Sequence, residues 1–332
     1  MKIRSMNEKP IKRVRFVDFD PTFKPETSGI YKMLSKWYDV RIVKDPDYVI
    51  SGALGYHHRK YDCIKIEINE ENQVVDFNTF DYGIGSDDLT FGDRYLRSPL
   101  YGTYGDYLSL YDRKFPSDAE LLGRGFCSFV VSNGGFGTPV RRRFFERLSQ
   151  YKKVDSGGRW MNNIGVPVKD KLAFCKNYKF NIAFENSSSP GYTTEKLMQP
   201  LSVCSIPIYY GNPTVDKDFR MDCMVYVEND DDIERAVEEV IRLDNDDEAY
   251  LAKVKSPCLV HPERDHFVRQ KEAFLKHIFD QPLAGARRLN CYGYQAVQLK
   301  YTAPAMLLHQ YARDAYWGFR ALLRGERRRV LS

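Results

Sequence analysis

The chain has 332 residues, 43% of them hydrophobic and 29% charged. This composition is typical of a folded globular protein and excludes a disordered or fibrous one, and the length predicts two domains or one large domain. The densest apolar stretch, residues 201–210, contains Pro207 and is shorter than the ~18 residues of a membrane span. The basic start lacks an apolar segment of signal-peptide length. We therefore expect neither a transmembrane anchor nor a secretory signal.

Lysine and arginine total 50 against 45 aspartate and glutamate, and most of this excess of +5 lies near the C-terminus. Residues 311–332 carry six arginines against Asp314 and Glu326. The remainder is almost neutral and offers no basic surface for a phosphate backbone, so nucleic acid is not an expected partner. The seven cysteines are scattered without C-x-x-C spacing, which predicts buried thiols in a reducing cytoplasm.

The first half of the chain alternates short strand-like runs with helical stretches. Strands are predicted at 14–19, 48–51, 64–68 and 126–131, and a helix at 30–38. No tight hairpin dipeptide joins the strands, which favours a layered α/β arrangement with a parallel sheet.

The second half contains a complete βαβ pattern. A strand at 180–184, a helix at 194–203 and a strand at 206–210 follow one another, and a further helix is predicted at 232–243. The turn-rich segment 155–158 predicts a domain boundary. The expected fold is α/β, with two Rossmann-like halves facing each other across a cleft. The expected domains are residues 1–155, residues 156–300 and a basic C-terminal segment, 301–332, and ligands in such sheets bind outside the carboxyl ends of the strands.

The segment 180–197 carries the clearest chemical signal. A buried strand runs into a polar loop ending at Thr193, a predicted N-cap for the following helix. A helix N-terminus attracts phosphate through its unpaired N–H groups and its dipole. Lys196 would add a full charge there, and Glu195 suits ribose hydroxyls. The segment predicts a nucleotide-diphosphate site without a Gly-rich loop. The alternative is that Glu195 only complements the helix dipole while Lys196 is solvated.

The same region resembles the signature of the α-1,3/4-fucosyltransferase family, and most closely its bacterial members that decorate lipopolysaccharide. The resemblance covers about 45–229. It is carried by 80–85 (FDYGIG), 93–100 (DRYLRSPL), Ser132-Asn133 with Pro139 and Arg141, 155–158 (DSGG), 184–187 (FENS), 192–197 (YTTEKL) and 206–211 (IPIYYG).

The resemblance implies an inverting transfer of L-fucose from GDP-β-L-fucose to the 3-hydroxyl of N-acetylglucosamine in N-acetyllactosamine-type glycans, on a GT-B fold. It places the donor site at Arg141, Asn186, Tyr192, Glu195 and Lys196. Glu195 would meet the ribose, while Lys196 and Arg141 would neutralise the leaving phosphates. Fixed cations there act on the barrier, because charge builds on the departing nucleotide.

Inversion also needs a general base, and the resemblance places it at Glu71 in Glu70-Glu71-Asn72. Close bacterial relatives carry glycine where this chain has Glu70. The extra carboxylate could raise the pKa of the base, or Glu70 could itself be the base. Without the resemblance, two glutamates in a polar loop indicate a solvated surface.

No metal site is demanded by the sequence. Asp18-Phe19-Asp20 mimics an Asp-x-Asp metal motif, but the pattern recurs elsewhere in the chain and indicates a turn or strand end. The histidines show no ligand spacing, and the adjacent pair His57-His58 is expected to line a surface or cleft. The expectation is that no cofactor is required, while stimulation by Mn²⁺, reported in the family, stays open.

Apolar residues recur at helical spacing from Leu308 to Leu323, beside the arginines of the tail. This pattern predicts either a peripheral anchor on anionic lipid at the inner membrane or a helix packed on the domains, and both can hold for different parts. The rival functions are an α-1,4 or mixed-linkage fucosyltransferase, a catalytically silent GDP-sugar-binding membrane-surface protein, and a structural membrane-surface protein.

Overall fold

The computed structural model describes residues 8–103, 105–132, 139–289 and 293–323. The chain divides into two compact units, and each is described by itself. The first unit comprises the described residues of Met1–Gly85, Leu89–Ser98 and Phe267–Ser332. The second comprises those of Ser86–Asp88 and Pro99–His266.

The first unit contains a parallel sheet of six strands. In chain order these are β1 (Ile11–Val17), β2 (Asp39–Ile42), β3 (Tyr48–Ser51), β4 (Ile64–Ile68), β5 (Tyr82–Gly85) and β6 (Tyr95–Arg97). Their order across the sheet is β2-β1-β3-β4-β5-β6, and every neighbouring pair is parallel. The order reverses between β1 and β3, as in a doubly wound sheet.

The second unit contains a parallel sheet of five strands. These are β7 (Gly125–Phe129), β8 (Val154–Ser156), β9 (Tyr178–Phe184), β10 (Ile206–Tyr210) and β11 (Val225–Tyr226). The order is β11-β10-β9-β7-β8, again with parallel pairs. All of β10 and all but the first residue of β9 are buried, as expected where helices cover both faces of a parallel sheet.

The helices connect and cover these strands. They are α1 (Gly29–Trp37), α2 (Asp118–Leu122), α3 (Pro139–Ser149), α4 (Lys171–Cys175), α5 (Glu195–Ser202), α6 (Ile233–Asn245), α7 (Asp247–Lys255), α8 (His266–Asp280), α9 (Leu283–Ala286) and α10 (Gly293–Leu323). Side-chain caps begin several of them. The Ser28 hydroxyl accepts from the backbone N of Tyr31 at α1, and the Asp246 carboxylate accepts from that of Ala249 at α7.

Most predicted elements are confirmed, and the bounds of β3, β4 and β10 match the prediction residue for residue. The predicted strand 14–19 ends earlier, because Asp18 has a φ of 61° and cannot continue an extended strand. Its carboxylate instead accepts from the backbone N atoms of His57 and His58, both at 2.9 Å. The expected strand-end role of Asp18 is confirmed, and the histidine pair contacts this carboxylate.

The predicted domain boundary at residues 155/156 differs from the division in the structure. Strand β7 precedes that point and β8 (Val154–Ser156) spans it, yet β7 pairs with both β8 and β9 in the second sheet. The turn at Gly157-Gly158 therefore lies inside the second unit. The later residues from Phe267 onward belong to the first unit, so the predicted domain 156–300 combines residues from both units.

Helix α10 also belongs to the first unit and begins earlier than the predicted segment 301–332. Gln310 is buried on one of its faces. Another face leaves large apolar side chains exposed: Tyr294, Val297, Tyr301, Leu308, Tyr316 and Phe319. The tail arginines Arg324 and 327–329 lie outside the described residues. Within the described part of the chain, no helix has the length and apolarity needed to cross a membrane.

Candidate active site

The centre of the candidate site is the carboxylate of Glu185, the residue that follows β9. It is fully buried and accepts hydrogen bonds from the backbone N of Thr194 (2.8 Å), the Thr194 hydroxyl (2.8 and 2.9 Å) and Lys196 Nζ (3.1 Å). A Cβ at Gly211 would lie 2.5 Å from Glu185 Cγ, so only glycine leaves room for this side chain. Burial raises the pKa of Glu185, and attraction to Lys196 opposes the rise.

The N-cap of α5 is Thr194, so the prediction of Thr193 is wrong. The Thr194 hydroxyl accepts from the backbone N of Lys196 at 3.3 Å. The Thr193 hydroxyl instead accepts from Asn212 Nδ2 at 3.0 Å. Both threonines are suitable caps, and the position of Asn212 decides between them.

Lys196 and Glu195 lie in the first turn of α5, as predicted. Besides Glu185, Lys196 Nζ contacts the Thr194 hydroxyl (3.1 Å) and the Glu195 carboxylate (3.6 Å). The side chains of Lys196 and Glu195 remain 20% and 27% exposed, so a ligand can reach both. Burial acts to raise the pKa of Glu195, but attraction to Lys196 and Lys171 lowers it overall.

Arg141 extends from the first turn of α3 and is fully buried. Its Nη2 donates to the backbone O of Phe184 (2.8 Å) and to Asn186 Oδ1 (3.0 Å). Its Nε and Nη1 have no hydrogen-bond partner among the described residues. Burial lowers the pKa of this guanidinium, and attraction to Glu185 opposes the shift. A buried cation with unpaired donors is a strong site for an anion, since unsatisfied buried donors are costly.

Tyr192 lies in the loop before α5 and is buried. The preceding Gly191 has a φ of 89°, and a Cβ there would lie 2.1 Å from the backbone O of Ser86. The backbone N of Gly191 donates to Asn212 Oδ1 at 2.7 Å. Glycine therefore permits the close approach that sets the path of this loop.

Two functional candidates were missed by sequence reasoning. Glu185 stood inside a recognised motif but received no role, although its position directly after a buried strand was a signal. Lys171, at the start of α4, carried no signal in the sequence. Burial lowers the pKa of Lys171, opposed chiefly by attraction to Glu195. The second unit thus joins Arg141, Lys171 and Lys196 to the carboxylates of Glu185 and Glu195.

The remaining predicted residue, Glu71, belongs to the first unit. It lies in the loop after β4 with an exposed side chain, and its backbone N donates to Asn69 Oδ1 at 2.9 Å. Across residues 8–103, 105–132, 139–289 and 293–323, no group of three or more His, Cys, Asp or Glu side chains is arranged to hold a metal ion.

The chain has two α/β units, each built on a parallel sheet, and the second gathers cations at a helix N-terminus. These features define a protein of the GT-B type. A crystal structure of an alpha1,3-fucosyltransferase with GDP-fucose is similar to this chain. The TM-score is 0.69 at 27% sequence identity, and the match covers 85% of this chain and 94% of that one.

Sequence comparisons point the same way. Residues 14–104 match the model of the alpha-(1,3)-fucosyltransferase FucT N-terminal domain, and residues 124–255 match that of the glycosyltransferase family 10 (fucosyltransferase) C-terminal part. The chain therefore belongs to the family 10 fucosyltransferases.

Individual relatives match over part of their length. The alpha-(1,3)-fucosyltransferase FucT of Helicobacter pylori is 34% identical over 265 residues, covering 68% of this chain and 55% of the relative. Alpha-(1,3)-fucosyltransferase B of Drosophila melanogaster is 30% identical over 138 residues, covering 36% of this chain and 29% of the relative. The chain thus spans about half the length of the first of these relatives and less of the second.

Proposed function

We propose that the protein is an inverting fucosyltransferase. It transfers L-fucose from GDP-β-L-fucose to the 3-hydroxyl of N-acetylglucosamine in N-acetyllactosamine-type glycans. The observation that carries the proposal is the buried Arg141, which lies in the same site as Lys196 at the N-terminus of α5. Among the described residues, its Nε and Nη1 have no hydrogen-bond partner and are available to an anion. The names of the relatives support the choice of donor and of linkage.

The donor site is assigned to the second unit. Arg141 and Lys196 hold the diphosphate, and Glu195 accepts hydrogen bonds from the ribose hydroxyls. Asn186 positions Arg141 through its 3.0 Å hydrogen bond, and Tyr192 lies in the loop that leads into α5. Negative charge grows on the leaving phosphate during transfer, so prepositioned cations lower the barrier. Lys196→Ala is expected to weaken GDP binding and to lower turnover, and unchanged GDP binding would overturn the assignment of Lys196.

The general base is assigned to Glu71, which takes the proton of the acceptor hydroxyl. The neighbouring Glu70 is exposed in the same loop, and its carboxylate interacts electrostatically with Lys271. Glu71→Gln should bind GDP-fucose normally but lose transfer. Glu70→Gln is the matched control and should retain transfer. If only Glu70→Gln loses transfer, the two roles are exchanged.

We assign the positive charge at the leaving group to side chains and not to a required metal. Transfer should therefore persist in EDTA, and added Mn²⁺ should change the rate only modestly. Abolition of transfer by EDTA, with restoration by Mn²⁺, would overturn this assignment.

We further propose peripheral binding to an anionic inner membrane on its cytoplasmic side. The exposed apolar face of α10, which continues to Phe319 beside the arginines of the tail, supports membrane binding. The free cysteines among the described residues support the cytoplasmic side. Deletion after Tyr316 should reduce binding to anionic liposomes and spare activity on soluble acceptor. Equal liposome binding would contradict the anchor.

The rival from another class is a silent GDP-sugar-binding protein. Arg141, Glu195 and Lys196 are all present in one site, which favours an enzyme. Transfer of fucose to an acceptor separates the two, because a silent binder retains GDP and makes no product.

A further inference from the structure

The loop that carries the proposed base begins at a buried amide. Asn69 directly follows β4 and is 3% exposed, whereas the next two residues, Glu70 and Glu71, are exposed. The backbone N of Asn69 donates to the backbone O of Ile84 at 2.8 Å. Asn69 is thereby fixed to the end of β5, and the loop starts from a rigid point of the sheet.

The Asn69 side chain bridges the loop from the inside. Its Oδ1 accepts from the backbone N of Glu71 at 2.9 Å, and its Nδ2 donates to the backbone O of Gln73 at 2.7 Å. The backbone N of Gln73 also donates to the backbone O of Glu71 at 2.9 Å. An amide is needed for this bridge, because it is the side-chain group that both donates and accepts here. A carboxylate would place negative charge against the Gln73 carbonyl.

Asn69 lies directly beside β5. On the neighbouring strand, a Cβ at Gly85 would lie 3.7 Å from Asn69 Cβ and 3.1 Å from Tyr95 Oη. The far end of the loop is held as well, since Gln73 Nε2 donates to the backbone O of Ala53 at 3.4 Å. The loop is thus held at both ends, at Asn69 by the backbone O of Ile84 and at Gln73 by the backbone O of Ala53.

By contrast, the Glu71 carboxylate has no hydrogen-bond partner in the described part of the chain. Its position consequently depends on its backbone, and the backbone is held by Asn69. We propose that Asn69 is a positioning residue for Glu71: its amide fixes the loop so that the Glu71 carboxylate is presented in one orientation. The inference rests on the proposed function, in which Glu71 is the base.

The test is a double-mutant cycle on transfer kinetics. Asn69→Ala should lower kcat by ~10- to 100-fold, the range expected when a reacting group is misplaced by about 1 Å. The KM for GDP-fucose and the Kd for GDP should stay within about twofold, because the donor site lies in the other unit. In the Glu71→Gln background, the same substitution should have no further effect on the residual kcat, measured in single turnovers at high enzyme concentration, since residues that act as a unit are non-additive.

Two further variants separate positioning from simple loss of stability. Asn69→Asp keeps the acceptor for Glu71 and loses the donor to Gln73, so it should lower kcat as Asn69→Ala does. Asn245→Ala is a control for the loss of two side-chain hydrogen bonds, because Asn245 Nδ2 donates to the backbone O of Ile241 (2.7 Å) and to Tyr151 Oη (2.9 Å) in the second unit. It should leave kcat unchanged.

The outcomes are distinguishable. Loss of transfer in Glu71→Gln with full kcat in Asn69→Ala overturns the positioning role alone. Equal losses from Asn69→Ala in both backgrounds also overturn it, because the amide would then act independently of Glu71. Full transfer by Glu71→Gln overturns the proposed base and the positioning role together.

Discussion

Substitution of Glu185 by alanine is the most informative perturbation of the candidate site. It removes the acceptor for the Thr194 N–H and hydroxyl and leaves Lys196 with the Glu195 carboxylate at 3.6 Å. Removing one partner of a buried ion pair costs ~3–5 kcal/mol. We therefore expect the free energy of unfolding of the second unit to fall by about 4 kcal/mol, or ~8–16 °C in Tm for a unit of this size.

The assay is urea unfolding at pH 7 followed by circular dichroism, together with GDP binding by calorimetry. Glu185→Gln keeps a neutral acceptor for the Thr194 N–H and should cost less than Glu185→Ala. Glu234→Gln is the matched control, because its ion pair with Arg147 (2.8 Å) is exposed and is worth ~0–1 kcal/mol. A loss in Glu185→Ala no larger than in Glu234→Gln would refute the reasoning from burial.

Three other predictions concern separate parts of the molecule. Lys171→Ala should weaken GDP binding about fivefold, which corresponds to ~1 kcal/mol for a charge acting through an effective dielectric constant of ~20. Calorimetry at two salt concentrations measures the affinity, and an unchanged affinity would exclude Lys171 from the site. Gly191→Ala should destabilise the loop by ~1–3 kcal/mol, because its Cβ would meet the backbone O of Ser86; an unaltered Tm would contradict the described loop path. Hydrogen bonds from Arg288, with a smaller contribution from His277, hold the pKa of Asp93 at about 2. The stabilisation from the Asp93 carboxylate is therefore present above its ordinary pKa of 3.8 and is lost as the pH falls towards 2. The stability difference between wild type and Asp93→Asn should shrink over that range, and a constant difference would contradict the ion pair.

The sequence predicts those elements whose own residues determine them. Strands β3, β4 and β10 are short apolar runs bounded by polar or turn residues, and each is found where it was predicted. Strand β1 is different, because its end depends on His57 and His58, forty residues away, which hold Asp18 out of the extended conformation. Such a contact leaves no local pattern.

The same distinction applies to the candidate site. Lys196 and Glu195 were predicted because the helix N-terminus is visible in the sequence, whereas the choice of Thr194 over Thr193 depends on Asn212. The pKa of Glu185 depends on its burial in the folded chain. Lys171 is brought near Glu195 only by the packing of the second unit. The predicted domain boundary differs from the structure for a related reason. A turn-rich segment indicates a turn, and only the pairing of β7 with β9 shows that the same sheet continues across it.

The central claim is fucosyl transfer, and one measurement tests it most directly. Purified protein is incubated with GDP-fucose and, separately, type 1 and type 2 N-acetyllactosamine acceptors, with and without Mn²⁺, and the product linkage is determined by NMR. We expect fucose in α-1,3 linkage to the N-acetylglucosamine of the type 2 acceptor. Absence of transfer to either acceptor by protein that still binds GDP would contradict the account.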